Sequence, residues 1–154
     1  MATGGVLGNF IKLGYSSSSP VSWTAITNIL SIDKFFELMT PDIDTTVSGV
    51  SIRTSMPGIP EPPEVEFTLL ADVDQATSPD QEFLRLRLMD GVAFWLRVER
   101  PAQRAHTTYR AEEFQAYVKG FAPSAPVDDK QTVKVTLRYS GNYAIYNAAA
   151  TAIT

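Results

Sequence analysis

Cysteine is missing from this 154-residue chain. Its absence excludes disulfides, thiolate metal sites and a cysteine nucleophile. Histidine occurs once, at His106, so the common zinc ligand sets cannot be assembled. A basic excess is missing too: 17 acids face 13 bases, for a net charge of −4. Proteins that grip nucleic acid normally carry such an excess, so tight DNA or RNA binding is disfavoured. No stretch approaches 18 consecutive apolar residues, so no membrane segment is expected. Met1–Gly8 lacks the basic start and apolar run of a signal peptide. No internal repeat recurs at a fixed period.

The length is that of one ordinary domain, 1–154, and a domain of this size buries roughly two thirds of its unfolded surface. About 44% of residues are apolar and 19% charged, a globular composition slightly poor in charge. Strand-like alternation dominates. In Glu64–Leu69, Val65, Phe67 and Leu69 alternate with Glu64, Glu66 and Thr68. Val92–Val98 puts Val92, Phe94, Leu96 and Val98 on one side. Thr132–Tyr139 sets Val133, Val135, Leu137 and Tyr139 against Thr132, Lys134, Thr136 and Arg138. Glu113–Lys119 alternates in the same way. Period two means strands with one face on a core.

One helix is expected over about 79–90. Ser78-Pro79-Asp80-Gln81 supplies a cap, a first-turn proline, an acid near the positive dipole end and a Gln three after the cap. Phe83, Leu84, Leu86, Leu88 and Met89 follow, and Gly91 stops the helix. Phe35–Met39 fits a strand or a short helical turn. Val21–Ile32 reads as one bent strand or two short ones, and Asp42–Ser48 as a further strand. Gly49–Pro63, with prolines at 57, 60, 62 and 63, reads as a long loop, and a loop this long in a compact domain usually has a job. Shorter loops are expected at Pro101–Thr108 and Ala122–Asp129. Arms are expected at about 1–15 and 144–154. The tally is a mainly β chain: an antiparallel β-sandwich or barrel with one flanking α-helix.

No catalytic or metal constellation emerges. His106 sits in Pro101-Ala-Gln-Arg-Ala-His-Thr, a surface-loop composition without a G-x-S-x-G elbow anywhere. Asp72-Val73-Asp74 resembles the opening of a calcium loop, but Ala76 stands at the third ligand position and the required Gly and Glu are absent. Asp128-Asp129-Lys130 is ordinary turn chemistry before a strand. Gly4-Gly5-Val6-Leu7-Gly8 lacks the Lys-Ser/Thr of a phosphate loop. No cofactor is expected. Trp95 faces away from Val92, Phe94 and Leu96, so it is exposed or buried at a subunit interface.

Two segments carry a resemblance. Trp23-Thr-Ala-Ile-Thr-Asn-Ile-Leu-Ser-Ile followed by Asp42-Ile-Asp-Thr-Thr-Val-Ser-Gly resembles the opening of the major tail proteins of long-tailed bacteriophages. Gly120-Phe-Ala-Pro-Ser-Ala-Pro-Val-Asp-Asp-Lys-Gln-Thr-Val-Lys-Val-Thr-Leu-Arg-Tyr-Ser-Gly resembles that family's closing pattern. The likeness spans about Trp23 to Gly141. The family's "D-V-T" spacing is not matched around Asp44-Thr45-Thr46-Val47, and Phe35–Met39 has no clear counterpart.

The resemblance implies a structural virion protein rather than an enzyme. It would be a tail tube subunit located in the phage tail and assembled in the host cytoplasm. Its hexameric rings would stack, and sheets of six subunits would join into one barrel around a channel. Partners implied are further copies, a tape-measure protein, tail terminator and baseplate or tip proteins, and genomic DNA passing without tight binding. Glu64, Glu66 and Thr68 are the candidate channel-facing residues; the strip Thr132, Lys134, Thr136 and Arg138 is the alternative. Ile52, Arg53, Met56, Pro57 and Ile59 are the candidate inter-ring contacts. The rival readings are a tail terminator or secretion-type tube protein of the same fold, and a carbohydrate-binding β-sandwich using Trp95.

Overall fold

The structure is a computed structural model and describes residues 11–37, 39–49, 51–71, 79–102 and 107–153. In chain order its elements are β1 (Lys12–Ser16), β2 (Thr24–Ala25), β3 (Ile29–Glu37), β4 (Asp42–Asp44), β5 (Ser55–Pro57), β6 (Glu64–Leu70), α1 (Pro79–Asp90), β7 (Phe94–Pro101), β8 (Tyr109–Ser124) and β9 (Thr132–Ala148). Seven strands make one antiparallel sheet in the order β2-β1-β7-β8-β9-β6-β3, and β4 with β5 forms a separate two-stranded ribbon. The sheet curls into a half-barrel with one helix, the mainly β architecture expected.

The period-two segments bury the side they advertise. Val65, Phe67 and Leu69 of β6 lie beside Val133, Val135 and Leu137 of β9, and the core continues through Phe94, Leu96 and Val98 of β7 to Leu13 and Tyr15 of β1. Each large side chain buried here contributes roughly 1.5–3 kcal/mol. Helix α1 closes this apolar face. Leu84 is fully buried, and Phe83 stacks on Tyr15 at 4.3 Å and meets Phe94 edge-on at 5.4 Å. Its first turn is pinned by two polar contacts. The Thr27 N–H donates to Asp80 Oδ2 at 3.0 Å, and Gln81 Nε2 donates to the Leu70 carbonyl at 2.7 Å. Gly91, at φ +69°, ends the helix, and its N–H donates to the Arg87 carbonyl. The expected cap, Ser78, lies outside the described residues.

Several boundaries differ from the sequence reading, each for a local reason. β7 begins at Phe94 because the Val92 N–H is taken by the Asp90 side chain at 2.9 Å. Val21–Ile32 splits into β2 and β3 at Asn28, whose positive φ of 62° breaks the extended run. Phe35–Glu37 is strand. The Gly49–Pro63 segment is not wholly loop: Ser55–Pro57 is β5, paired with Asp42–Asp44. β8 runs on through Pro123, opposite Val133 of β9. β9 continues past Tyr139 through Ser140-Gly141-Asn142, with Asn142 at φ 55°, and pairs with β8 as far as Ala148. The C-terminal arm expected from about 144 is therefore strand for its first residues.

The central pair is staggered. β7 covers only Tyr109–Ala116 of β8, whereas β6 covers only Thr132–Arg138 of β9. The long β8–β9 hairpin thus belongs to two half-sheets, one carrying β7-β1-β2 and the other β6-β3.

Candidate assembly surfaces

The side of the sheet opposite α1 carries the residues singled out for the channel. Glu64, Glu66 and Thr68 stand on β6 opposite Arg138, Thr136 and Lys134 of β9. The acidic strip and the mixed strip that the sequence left as alternatives are therefore one surface. Its charges are paired across strands. Glu64 takes Lys119 Nζ at 2.7 Å, Lys34 Nζ at 3.8 Å and the Arg138 guanidinium; Glu66 takes Lys134 Nζ at 2.7 Å. Thr68 Oγ1 donates to Asp33 Oδ2 at 3.0 Å. Hydrogen bonds from Lys119 and then Arg138 hold the Glu64 carboxyl below the usual carboxylate range, while its hydrogen bond to Glu66 pushes the Lys134 ammonium up. Each pair is worth little to stability at this exposure. Their consequence is electrostatic: the surface is a charge-balanced mosaic, not a bare acidic wall.

On the other half-sheet the same side is covered rather than open. Arg97 and Glu99 of β7 and Glu113 of β8 are buried there. Arg97 Nε donates to Glu99 Oε2 at 2.9 Å, and its Nη1 donates to Glu113 and to the Tyr146 hydroxyl. The Tyr146 hydroxyl also donates to Glu113, and the guanidinium lies 5.9 Å from the Trp23 ring centroid. The end of the chain closes this cluster. Glu99 accepts the Thr151 hydroxyl, the Ala152 N–H at 2.9 Å and the Ile153 N–H at 3.2 Å. Ile153 is fully buried over Gly14, where even a methyl group would come within 2.8 Å of its side chain. Trp95 is half-buried beside this cluster. Burial drives the Glu99 carboxyl up, but the Thr151, Ala152, Arg97 and Ile153 donors outweigh it and hold the group below its ordinary value. Burial leaves Glu113 raised despite Arg97. The sequence reading missed this network. Its one signal was charge alternating with aliphatic residues in Trp95-Leu-Arg-Val-Glu.

The third surface is the β4–β5 ribbon. The Thr45 N–H donates to the Thr54 carbonyl and the Gly58 N–H to the Pro41 carbonyl, so the ribbon closes on itself. Ile52, Met56 and Ile59 are 74%, 50% and 87% exposed, with Ile43 and Val47 beside them in sequence and exposed too. Arg53 and Pro57 are exposed on the same ribbon. The five residues singled out as contacts thus share one projecting element. Scattered single exposures would be ordinary; this many on one short ribbon is a candidate contact surface.

His106 and Asp72-Val73-Asp74 lie outside the described residues. Among the described residues no group of three His, Asp or Glu side chains could hold a metal ion, and no helix is long and apolar enough to cross a membrane.

No protein-family model matches the sequence, and no curated protein matches it. Solved structures do match the fold. The tail of an empty gene transfer agent particle, determined with C6 symmetry, superposes with a TM-score of 0.66 at 10% identity, over 92% of this chain and 99% of that one. The SPP1 tail tube gives 0.62 at 14% identity, over 92% and 78%. The tube-terminating cap of the anti-feeding prophage gives 0.62 at 9% identity, over 96% and 95%. The chain has the fold shared by these tube and cap proteins.

Proposed function

We propose that this chain is the repeating structural subunit of a phage tail tube. It forms hexameric rings that stack, and the lumen conducts the viral genome during ejection. The observation that carries this reading is the fold likeness over nearly the whole chain to a tail built with C6 symmetry and to a tail tube. Two surfaces support it. The charge-paired side bearing Glu64, Glu66 and Thr68 suits a wall past which a polyanion slides, because neither sign dominates. The apolar ribbon with Ile52, Arg53, Met56, Pro57 and Ile59 suits a heterologous contact between rings, the open-ended kind that a tube needs. In that role the partners are further copies, a tape-measure protein, a terminator and baseplate or tip proteins, and the location is the virion tail.

A tube-terminating cap is the second reading, favoured by the likeness to the anti-feeding prophage cap. Negative-stain electron microscopy of the purified protein separates the two. Long tubes support the tube subunit, isolated rings support the cap, and a monomer at every concentration removes both. In tube-forming protein, Ile52→Asp with Ile59→Asp leaves rings but abolishes their stacking. Tubes of normal length from that variant would remove the ribbon from the inter-ring contact.

A further inference from the structure

Two projections leave the half-sheet β3-β6-β9-β8 from opposite ends, and they carry complementary chemistry. One end is the row Glu37-Glu64-Arg138-Tyr117, from which the β4–β5 ribbon departs. The other is the row Leu70-Thr132-Ser124, where β8 turns into β9 through residues 125–131. Along β6 the two rows are roughly 20 Å apart. The charges on the sheet between them are paired within the copy, Glu64 and Glu66 with Lys34, Lys119, Lys134 and Arg138. Those on the projections are not. Among the described residues neither Arg53 nor Asp128 has an ion pair, and Asp129 accepts only the N–H of its neighbour Lys130. At the ribbon's end Val47 and Ile52 are 69% and 74% exposed beside Arg53; in the turn Val127 is 99% exposed beside Asp128 and Asp129.

We infer that the β8–β9 turn, Val127-Asp128-Asp129, receives the ribbon's end, Val47 with Ile52 and Arg53, from a second copy of this chain in the next ring. The inference rests on the tube reading above and names the surface on which its ribbon lands. Position favours it. A contact that repeats without closing joins two different surfaces, and along a stack these must face opposite ways. The ribbon and the turn meet that condition, whereas ribbon against ribbon would make a closed pair. Chemistry favours it as well. The ribbon offers two β-branched side chains and a guanidinium, and the turn offers a valine and two carboxylates. Apolar groups would cover one another while the unpaired charges of opposite sign fix the register. The ribbon is ready for the contact before it forms. The Thr54 N–H donates to Thr46 Oγ1 at 2.9 Å, and the Thr45 hydroxyl lies 3.1 Å from that of Thr54. These bonds hold the end of the ribbon in shape, so docking costs little ordering.

The absence of cysteine makes the test clean. Ile52→Cys is combined in one chain with Val127→Cys. Separately, Ser51→Cys is combined with Ala125→Cys, exposed positions that carry none of the contact chemistry. Assembled protein is treated with a short flexible bismaleimide, which tolerates an offset of a residue or two, and run on a denaturing gel. A chain with one cysteine can give at most a dimer, so the single variants are the controls. The expected result is a ladder from at least one double variant that runs beyond the hexamer, because links made from ring to ring continue along the tube. A ladder that ends at the hexamer places the contact within a ring and overturns the inference. Tubes that yield no ladder from either pair overturn it too and leave the tube reading standing. Parent protein that gives only isolated rings or monomers by sedimentation, with its native circular dichroism spectrum, overturns both.

Discussion

Glu99 is a carboxylate without solvent access, and it stays charged because donors from β7 and from the chain's end converge on it. Its folded pKa lies below its ordinary value. The folded state therefore binds this proton more weakly than the unfolded state does, and the ion adds stability at pH above about 4.3. That contribution is lost as pH falls through the unfolded value towards the folded one. Urea unfolding from pH 7 to pH 3 should show declining stability, with a shallower decline in Glu99→Gln. An identical slope in the variant would mean that Glu99 is not among the groups responsible. Ile153→Ala should cost about 2–4 kcal/mol in the same assay at pH 7, the usual range for emptying a buried aliphatic site. A change under 0.5 kcal/mol would show that Ile153 does not fill the hollow over Gly14. Neither residue stood out in the sequence. Alternation assigns Arg97 and Glu99 to the side away from the core, but it cannot say that residues some fifty positions later return to cover them.

The elements divide by the kind of signal that specifies them. α1, β6 and the first half of β9 were legible because cap, proline, stop glycine and strict alternation agree over a continuous segment. The second half of β9 was not, because Ser140-Gly141-Asn142 interrupts the alternation and only pairing with β8 keeps the strand extended. β5 was hidden by prolines, which are tolerated because the ribbon has two strands, so each has an outer side that needs no donor. The stop of α1 gives a direct test. Gly91 has φ +69° and nothing within 4 Å of where a side chain would begin, so any cost of a methyl group is conformational rather than steric. Gly91→Ala should destabilise by about 1–2 kcal/mol, the cost of a left-handed residue with a Cβ. A neutral result in urea denaturation would mean that the turn relaxes to negative φ.

At the scale of the whole molecule the net charge of −4 and the local charge pattern point to the same behaviour by different routes. The net charge discourages association with nucleic acid in general. On the channel-facing side proposed above, discouragement depends on balance. Among the described side chains there, the carboxylates of Asp33, Glu64 and Glu66 offset three of the four charges of Lys34, Lys119, Lys134 and Arg138. Removing carboxylates should turn a largely paired mosaic into a phosphate-binding strip, because every cation freed from its partner can displace a counterion from DNA. The double variant Glu64→Gln with Glu66→Gln should bind duplex DNA at least tenfold more tightly than the parent at 50 mM salt, by fluorescence anisotropy. Its log-affinity should fall with log salt at a slope steeper by about 1–2, roughly 0.9 for each phosphate newly contacted. Assembled protein is the proper sample, since a ring brings several copies of the strip to one duplex. Equal affinity and equal slope for variant and parent would mean that this side never meets the duplex, and the channel would then have to be lined by other strands.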